Sequence, residues 1–280
     1  MNIIAGIVLY NPDIQRLKEN IDAILAQVNE IVLVDNASNN KSEILDLLGR
    51  YDNCIMIENS DNMGIAFALN RIFEYANEKK CEWFLTLDQD TVCYDKLIQN
   101  YIQVIEKIDI TKVGMLTCIA DDRNYVLENS LSADDDYKEV TYCITSGALV
   151  NTKAAKECDG WKEVLFIDNV DGEFCIHLKK LGYKVISLNY HGILHEVGHG
   201  QNVRFLWKKD VVYNHPAIRH YYVARNKIYV ARMYPDFFNL KEELKKEKRH
   251  IRKVWMYEQD KKNKIAAIKK GVKDGLELPL

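Results

Sequence analysis

The tripeptide Asp88-Gln89-Asp90 carries the side chains of this sequence that are best suited to chemistry. It directly follows the apolar run Trp83–Leu87, which is typical of a buried strand. Two carboxylates at this spacing can reach one divalent cation and, through it, a nucleotide diphosphate, because Mg²⁺ and Mn²⁺ favour oxygen ligands. Such aspartate pairs are common by chance, so it is the position at a strand end that makes this one a candidate metal site.

A further carboxylate, Asp35, ends the apolar run 31–34 and is followed by Asn36. At a strand end, a carboxylate can accept a hydrogen bond from N3–H of uracil or thymine, or from a ribose hydroxyl. Neither a G-x-G-x-x-G loop after the first predicted strand nor a P-loop is present, which argues against NAD and FAD binding. The residues therefore favour a nucleotide site of another kind.

The elements that must position these side chains alternate between strand and helix over residues 1–118. Short apolar runs predict strands at Ile3–Tyr10, Ile31–Val34, Cys54–Glu58, Trp83–Leu87 and Val113–Cys118. Amphipathic stretches predict helices from Asn11-Pro12-Asp13 to Gln27, at Ser42–Arg50, at 65–79 and at Tyr94–Ile108. This order predicts an α/β, Rossmann-like fold with a mostly parallel central sheet flanked by helices.

Four polar clusters each follow one of these strands. They are Tyr10-Asn11-Pro12, Asp35-Asn36-Ala37-Ser38, Asn62-Met63-Gly64 and Asp88-Gln89-Asp90. Any one of them alone is typical of ordinary turn and helix-capping chemistry. Open α/β sheets, however, bind ligands beyond the carboxyl ends of their strands, so four clusters on one edge favour a binding crevice.

The second half of the chain is less regular. Residues 119–140 are acidic and without periodicity, which predicts an exposed loop or hairpin. Beyond them the pattern predicts short strands at Thr141–Ile144 and Ala148–Asn151, helices at Thr152–Cys158 and Val170–Leu181, and a strand at Tyr183–Leu188. From Arg219 onward the pattern is helical and increasingly basic.

Charge is distributed unevenly along the 280 residues, whose net charge is −3. Residues 241–273 carry 13 Lys and Arg against 5 Asp and Glu, so the remainder of the chain sums to −11. A basic C-terminus indicates contact with something anionic, a membrane surface or nucleic acid. Nucleic acid is disfavoured, because the remaining negative charge would repel its phosphates.

The seven cysteines fall singly inside apolar segments without a C-x-x-C pair, which predicts reduced, buried thiols. No uncharged apolar window of about 18 residues occurs, and no basic region follows Met1, so we expect neither a membrane span nor a signal peptide. These features predict a cytoplasmic protein.

Taken together, the motifs resemble the family 2 glycosyltransferases with the GT-A fold, and within them the rhamnosyltransferase-like group of bacterial polysaccharide synthesis. The resemblance spans residues 3–235 and is carried by Ile7–Asn11, Val34–Ser38, Asn62–Ala66 with Asn70, Leu87–Thr91, Ser146-Gly147, Phe166–Glu173, Tyr221-Tyr222 and Arg225-Asn226. The sequence departs from the group at His177, where many relatives carry arginine.

The resemblance implies roles for the matching residues. The nucleotide sugar would be bound by Tyr10, Asn11, Asp35, Asn36, Asn62, Gly64, Asp88 and Arg225. A divalent metal, Mn²⁺ or Mg²⁺, would be held by Asp88, Asp90 and a histidine, either His195 or His199, of which we prefer His195. Asp171 would be the catalytic base, and the acceptor would be bound by Ser146, Gly147, Asp168 and Glu173.

Residue types alone leave other interpretations open for these positions. Asp168, Asp171 and Glu173 are also typical of the first turn of a helix, where the macrodipole favours acidic side chains. His195 is equally typical of a structural histidine, and Arg225 of a charge on a helix surface. The Ser146-Gly147 pair is also typical of a tight turn.

The function implied by the resemblance is an inverting, metal-dependent glycosyltransferase. Its best-matching donor is dTDP-L-rhamnose, and its acceptor would be a saccharide or lipid-linked saccharide in cell-surface polysaccharide synthesis. The alternatives are a transferase for UDP-galactose, UDP-glucose or UDP-galactofuranose, and a non-catalytic nucleotide-sugar-binding scaffold subunit. Intact Asp88, Asp90 and Asp171 argue against the scaffold.

The implied domain organisation is a catalytic domain over 1–235, with a nucleotide-sugar half at 1–118 and an acceptor half at 119–235. A basic amphipathic helical extension at 236–280 follows, with apolar positions that include Val254, Trp255 and Ile268. This extension either contacts the inner face of the cell membrane through 241–273 or forms a solvated or oligomer-forming helix.

Overall fold

The chain folds as strands and helices that alternate through its first half. The structure is a computed structural model that describes residues 1–123, 136–196, 201–205 and 208–280, and for residues 201–205 and 208–211 it describes the backbone alone. The strands are β1 (Ile3–Leu9), β2 (Glu30–Asp35), β3 (Cys54–Glu58), β4 (Trp83–Asp88), β5 (Val92–Cys93), β6 (Val113–Asp122), β7 (Tyr137–Val140), β8 (Ala148–Asn151), β9 (Lys184–His195), β10 (Gln201–Phe205) and β11 (Lys208–Val212). The helices are α1 (Ile14–Leu25), α2 (Lys41–Leu48), α3 (Ile65–Glu78), α4 (Leu97–Lys107), α5 (Thr152–Glu157), α6 (Val170–Lys180), α7 (Ala217–Met233), α8 (Leu240–Tyr257) and α9 (Lys261–Glu277), with a 3₁₀ turn at Glu163–Leu165.

Within the described ranges, nine strands form one central sheet. Its order is β3-β2-β1-β4-β8-β6-β9-β5, with β7 beside β9, while β10 and β11 form a separate hairpin. The first four strands of this order pair in parallel. Strand β8 is antiparallel to both β4 and β6, and β6 is parallel to β9. The predicted α/β sheet is thus confirmed, and its parallel block brings the carboxyl ends of β1 to β4 to one edge.

The parallel block is fixed by apolar packing on both faces. Ile7, Leu33 and Leu85 are fully buried in β1, β2 and β4, as expected for strands covered by helices on both sides. Helix α3 packs so closely on β1 that a Cβ at Gly6 would lie 2.1 Å from Cγ2 of Ile72. This packing sets where each strand ends, and therefore where the polar clusters begin.

Strand pairing in the second half differs from the sequence prediction in several places. Strand β6 continues to Asp122 instead of giving way to a loop at 119, since it pairs with a β9 that extends to His195. Asp121 is accommodated there because the Tyr94 hydroxyl (3.0 Å) and the His191 ring (2.6 Å) bind its carboxylate. Residues 124–135, inside the predicted loop or hairpin, lie outside the described part of the chain.

The strand predicted at Thr141–Ile144 is wrong. The strand of this region is β7, four residues earlier, and it pairs with β9. Residues 141–144 instead lead into a turn, where Gly147 N–H donates to Thr86 O at 2.8 Å. The turn fixes the path of the chain here, because its hydrogen bonds to β4 compete with continued strand pairing.

Contacts divide the described chain into two compact units. The first contains residues 1–164 and 171–196, that is, the sheet and helices α1 to α6 apart from Val170. The second contains residues 165–170 and 197–280, with the β10–β11 hairpin and helices α7, α8 and α9. The functional division predicted at 118 and 235 stays a prediction, and packing places α7 with the helices of the predicted extension.

The second unit is built around α7. Val254 of α8 and Ile268 of α9 are fully buried against Ala224 of α7. The predicted helical C-terminal extension is confirmed. It consists of two helices, separated at 258–260, whose apolar positions form a core with α7. None of the helices in the described ranges combines the length and apolarity that a bilayer crossing requires.

Candidate active site

The loops that follow β1, β2 and β4 are joined by direct hydrogen bonds. The backbone N–H of Tyr10 donates to Oε1 of Gln89 at 2.8 Å. The backbone N–H of Asn11 donates to Oγ of Ser38 at 2.8 Å. The tyrosine ring of Tyr10 remains 47% exposed beside them. The structure thus brings together three of the polar clusters and leaves an aromatic ring open to a ligand.

The predicted nucleoside residues use much of their polarity to shape these loops. The carboxylate of Asp35 is buried and accepts the hydroxyl of Ser38 at 2.5 Å and its N–H at 3.1 Å. The amide of Asn36 donates to Gly64 O at 3.2 Å, which ties in the loop after β3. Asn62 accepts the N–H of Gly64, whose φ of +86° favours glycine. These contacts pre-organise a polar crevice.

Asp88, Asp90 and His195 lie together at the floor of this edge. One ligand atom from each lies within 4.8 Å of the other two, and Nδ1 of His195 is 3.9 Å from both carboxylates. A cation about 2.1 Å from each ligand needs ligand atoms no more than about 4.2 Å apart. Small side-chain movements would therefore bring all three ligand atoms within reach of one cation. The two carboxylates suit both Mn²⁺ and Mg²⁺, whereas an imidazole ligand is typical of transition metals and therefore favours Mn²⁺ of the two. His199, the alternative ligand, lies outside the described residues.

The electrostatics of the pair also fit a cation. Desolvation, together with the like charge of Asp90, raises the pKa of Asp88 to about 7. Two neighbouring carboxylates repel each other unless a proton or a cation lies between them. The donor set therefore fits a divalent metal in both composition and charge.

A chain of hydroxyl groups supports these three residues. The Thr91 hydroxyl lies 3.1 Å from Nδ1 of His195 and 2.7 Å from the Ser146 hydroxyl. Ser146 in turn accepts the backbone N–H of Asp88 at 2.9 Å. On the other side, the buried amide of Asn20 donates to the carbonyl of Asp88 at 2.7 Å. Both the backbone N–H and the backbone C=O of Asp88 are therefore hydrogen-bonded, which fixes the position of this loop.

We expect Thr91→Val to weaken Mn²⁺ binding about 10- to 100-fold, because groups that orient metal ligands typically contribute that much. Isothermal titration of the full chain with Mn²⁺ measures the effect. Thr111→Val is the matched control, since the Thr111 hydroxyl bonds only Asp109 among the described residues. Unchanged affinity in Thr91→Val would show that the hydroxyl chain does not orient the site.

The candidate base is attached to the same support. Asp171 lies in the first turn of α6, and its carboxylate accepts the hydroxyl of Thr145. Thr145 directly precedes Ser146, so one dipeptide contacts both the candidate base and the Asp88 loop. Thr86 of β4 fixes this dipeptide by donating to Thr145 O at 2.6 Å. The sheet thereby holds the base and the carboxylate pair in one frame.

The residues predicted to bind acceptor lie mostly inside the protein. Ser146 is 2% exposed, and a Cβ at Gly147, whose φ is +78°, would lie 2.9 Å from Ile193. Glu173 is fully buried, with its carboxylate 3.9 Å from Nδ1 of His177. Burial favours a supporting role for Ser146 and Glu173, and acceptor binding stays a prediction for all of them.

Asp168, the fourth of these residues, belongs to the second unit, where Arg219 pairs with it. The guanidinium donates to both oxygens of Asp168 at 3.2 to 3.3 Å. Arg225, the predicted diphosphate ligand, donates to Leu165 O at 3.1 Å, and its guanidinium carbon lies 4.7 Å from the ring centre of Tyr222. Part of its hydrogen-bonding capacity thus fixes the 165–170 segment.

Asn226 is the main support of the 165–170 segment. Its fully buried amide donates to the carbonyls of Leu165 (2.8 Å), Ile167 (2.7 Å) and Asp168 (2.8 Å). The segment needs such support because Phe166, Asp168 and Asn169 all adopt positive φ, which is costly for residues with a side chain.

We expect Asn226→Asp to lower the free energy of unfolding by about 1 to 3 kcal/mol, because a buried carboxylate cannot donate to these carbonyls. Urea unfolding followed by circular dichroism measures the change. Asn53→Asp, at an exposed position of the turn before β3, is the control and should unfold like the unchanged protein. Equal stability of the two variants would contradict this role.

The sequence interpretation assigned no role to Thr91, Thr145, Asn20 or Asn226. Thr91 and Asn226 belong to motifs that carry the resemblance, and Thr145 directly precedes one, which is the signal that could have indicated them. Nothing in the local pattern indicates Asn20, a polar residue on the buried face of an amphipathic helix.

Comparison with known proteins places these motifs in a family. The family described as Glycosyl transferase family 2 matches residues 5–158, more than half of the chain. A curated relative, dTDP-rhamnosyl transferase RfbF from Shigella flexneri, is 26% identical over 242 residues, which cover 82% of this chain and 80% of RfbF.

Solved glycosyltransferases share the fold. TarS from S. aureus, in its 1-349 form in complex with UDP-GlcNAc, gives a TM-score of 0.59 at 14% identity, over 99% of this chain and 73% of that one. GalNAc-T7 with UDP, GalNAc and Mn²⁺ gives 0.61 at 13% identity, over 99% of this chain and 56% of that one. Against a longer TarS chain, the match spans only 41% of TarS. The likeness shows that the chain has the GT-A fold.

Proposed function

This chain belongs to glycosyl transferase family 2, and we propose that it is an inverting, metal-dependent transferase of L-rhamnose from dTDP-L-rhamnose. The donor is supported by RfbF, a relative named as a dTDP-rhamnosyl transferase. Use of a nucleotide sugar and of a divalent metal is supported by structural neighbours solved with UDP-GlcNAc and with UDP and Mn²⁺.

The observation that carries the proposal is the dipeptide Thr145-Ser146. Its two hydroxyl groups contact the Asp171 carboxylate and the Asp88 backbone, respectively. A sugar transferase needs a base on one side of the anomeric carbon and charge stabilisation of the leaving group on the other. One rigid support for both is what such a reaction requires.

In the proposed reaction, Asp171 accepts the proton of an acceptor hydroxyl while that oxygen bonds to the anomeric carbon. The bond from this carbon to the diphosphate oxygen breaks on the opposite face, so the configuration inverts. Asp88, Asp90 and His195 would hold Mn²⁺ or Mg²⁺, which when bound neutralises the diphosphate. Thr91 and Ser146 keep these ligands in place.

Donor recognition is assigned to the loops after β1, β2 and β3. In this proposal the exposed ring of Tyr10 covers the base, and Asp35 and Asn36 bind the nucleoside together with Asn11. Asn62 and Gly64 let the backbone approach the donor, while Arg225 binds the diphosphate as a planar guanidinium can. Asp168, Glu173 and the 146–147 turn shape the acceptor side.

The acceptor proposed for this enzyme is a saccharide or lipid-linked saccharide of a growing surface polysaccharide. We place the reaction in the cytoplasm, at the inner face of the membrane.

Isothermal titration with dTDP, UDP, GDP and ADP tests the nucleotide assignment. We expect dTDP to bind most tightly, and only in the presence of Mn²⁺, because the carboxylate pair repels a diphosphate without a cation. Equal binding of ADP would contradict the site assignment.

A further inference from the structure

The solvent face of α8 is a continuous basic surface. At 3.6 residues per turn, its cations lie within an arc of about 120°. This arc, called here the α8 face, comprises Lys241, Lys245, Lys248, Arg249, Arg252, Trp255 and Met256, all of them exposed. Trp255, near the C-terminal end of α8, is 64% exposed, the largest exposed fraction among the tryptophans whose side chains are described.

The acidic residues of α8 neutralise little of the positive charge on the α8 face. Glu243 and Glu247 are buried on the opposite side, where they bind Lys246 and Lys227 at 2.6 Å. Glu242, at the edge of the arc, pairs with Lys245 at 2.7 Å. No other carboxylate occurs in α8.

Three cations of the face are therefore available to an external anion. Lys248, Arg249 and Arg252 make no salt bridge with any described residue of the chain. Their neighbour Trp255 has the ammonium of Lys261 at 5.8 Å from its ring centre, which continues the positive surface to the start of α9. The patch thus combines unpaired cations with an exposed aromatic side chain.

The apolar positions of α8 lie on another side of the helix, where they pack against α7 and α9. Val254 is fully buried, and Ile251 packs against the core between α7, α8 and α9. Trp255 and Met256 take no part in this core, so folding of the unit does not explain their exposure. An exposed tryptophan beside a row of cations is typical of a membrane interface, where the indole lies at headgroup level.

We propose that the α8 face docks on an anionic lipid bilayer, with its cations on the headgroups and Trp255 at the interface. Each Lys or Arg near such a surface contributes about 1 kcal/mol, and several together give reversible binding. A bilayer is favoured over nucleic acid because the rest of the chain carries net negative charge and Trp255 offers an apolar anchor. Docking itself goes beyond the proposed transfer, while its purpose, access to a lipid-linked acceptor, rests on that proposed function.

Co-sedimentation of the full chain with vesicles tests the proposal. We expect binding to vesicles of 70% phosphatidylcholine and 30% phosphatidylglycerol, little binding to pure phosphatidylcholine, and weakening with added NaCl. The triple variant Lys248→Ala, Arg249→Ala, Arg252→Ala should reduce partitioning about 100-fold, since it removes about 3 kcal/mol of attraction. Trp255→Ala alone should also reduce it.

The control removes three exposed lysines from the first unit, by Lys80→Ala, Lys153→Ala and Lys156→Ala. It changes the net charge equally and should bind vesicles like the unchanged protein. Equal loss in both triple variants, equal binding to both vesicle types, or tighter binding to duplex DNA than to vesicles would each overturn the proposal. Titration with dTDP on the same samples reports on the donor site separately, so failure of docking is distinguishable from failure of the proposed transfer.

Discussion

Replacing Asp171 by asparagine is expected to abolish sugar transfer and leave donor binding intact. Asparagine keeps the shape of aspartate and can still accept the Thr145 hydroxyl, but it cannot take up the acceptor proton. General base catalysis contributes about 10² to 10⁴ in rate, so turnover should fall at least about 100-fold. Hydrolysis of dTDP-L-rhamnose, in which water takes the place of the acceptor hydroxyl, measures turnover, and titration of dTDP measures donor binding.

Asp46→Asn provides the matched control, since Asp46 is an exposed aspartate on α2 and is not among the proposed site residues. It should retain full turnover. Normal turnover in Asp171→Asn would exclude Asp171 as the base, and the first turn of α6 would then carry acidic residues for helix stability alone.

Removing the metal, or one of its proposed ligands, is the second change with a large expected effect. EDTA or Asp88→Asn should lower transfer at least about 100-fold, because the leaving diphosphate then loses its main charge stabilisation. Added Mn²⁺ should restore the EDTA-treated protein but not the variant. Nucleotide release and dTDP affinity are the measurements.

Asp95→Asn is the control for this variant, since Asp95 is exposed just beyond the same motif and outside the proposed ligand set. It should respond to EDTA and Mn²⁺ like the unchanged protein. Transfer that continues in EDTA would exclude metal dependence and leave the Asp88 and Asp90 pair without its proposed role.

The parallel block of the fold was predictable because its signals are local. The runs that form β1 to β4 are short, apolar and closed by polar residues, and each is followed by an amphipathic stretch. Such runs specify strand and helix within about ten residues. The observed ends of β3 and β8 coincide with the predicted ones, Cys54–Glu58 and Ala148–Asn151.

The second half was less predictable because its strands depend on distant partners. Strand β6 continues through acidic residues since β9 lies beside it, more than 60 residues later in the chain. The two-residue strand β5 exists only through its pairing with Ile193 and Leu194. Segments of this kind carry no periodicity of their own, because the partner supplies the stabilisation.

The candidate site shows the same division. The motif containing Asp88 and Asp90 stands out locally, whereas the proximity of His195, more than 100 residues away, followed only from the family resemblance. The supporting hydroxyls of Thr91 and Ser146 belong to different loops and meet only in the folded sheet. Hydrophobic periodicity likewise identifies Val254 as a position to be buried, but it does not distinguish burial in protein from burial in lipid. In the structure, helices α7 and α9 cover Val254.

The most direct test of the account is nucleotide release from a panel of donors. The full chain is incubated with Mn²⁺ and, separately, dTDP-L-rhamnose, UDP-galactose, UDP-glucose or UDP-galactofuranose. Water takes the place of the acceptor hydroxyl, and the diphosphate freed by hydrolysis of the donor is quantified. We predict fastest release from dTDP-L-rhamnose, with loss of release in EDTA. Faster release from a UDP-sugar would contradict the donor assignment, and release from none of the four would contradict the catalytic role itself.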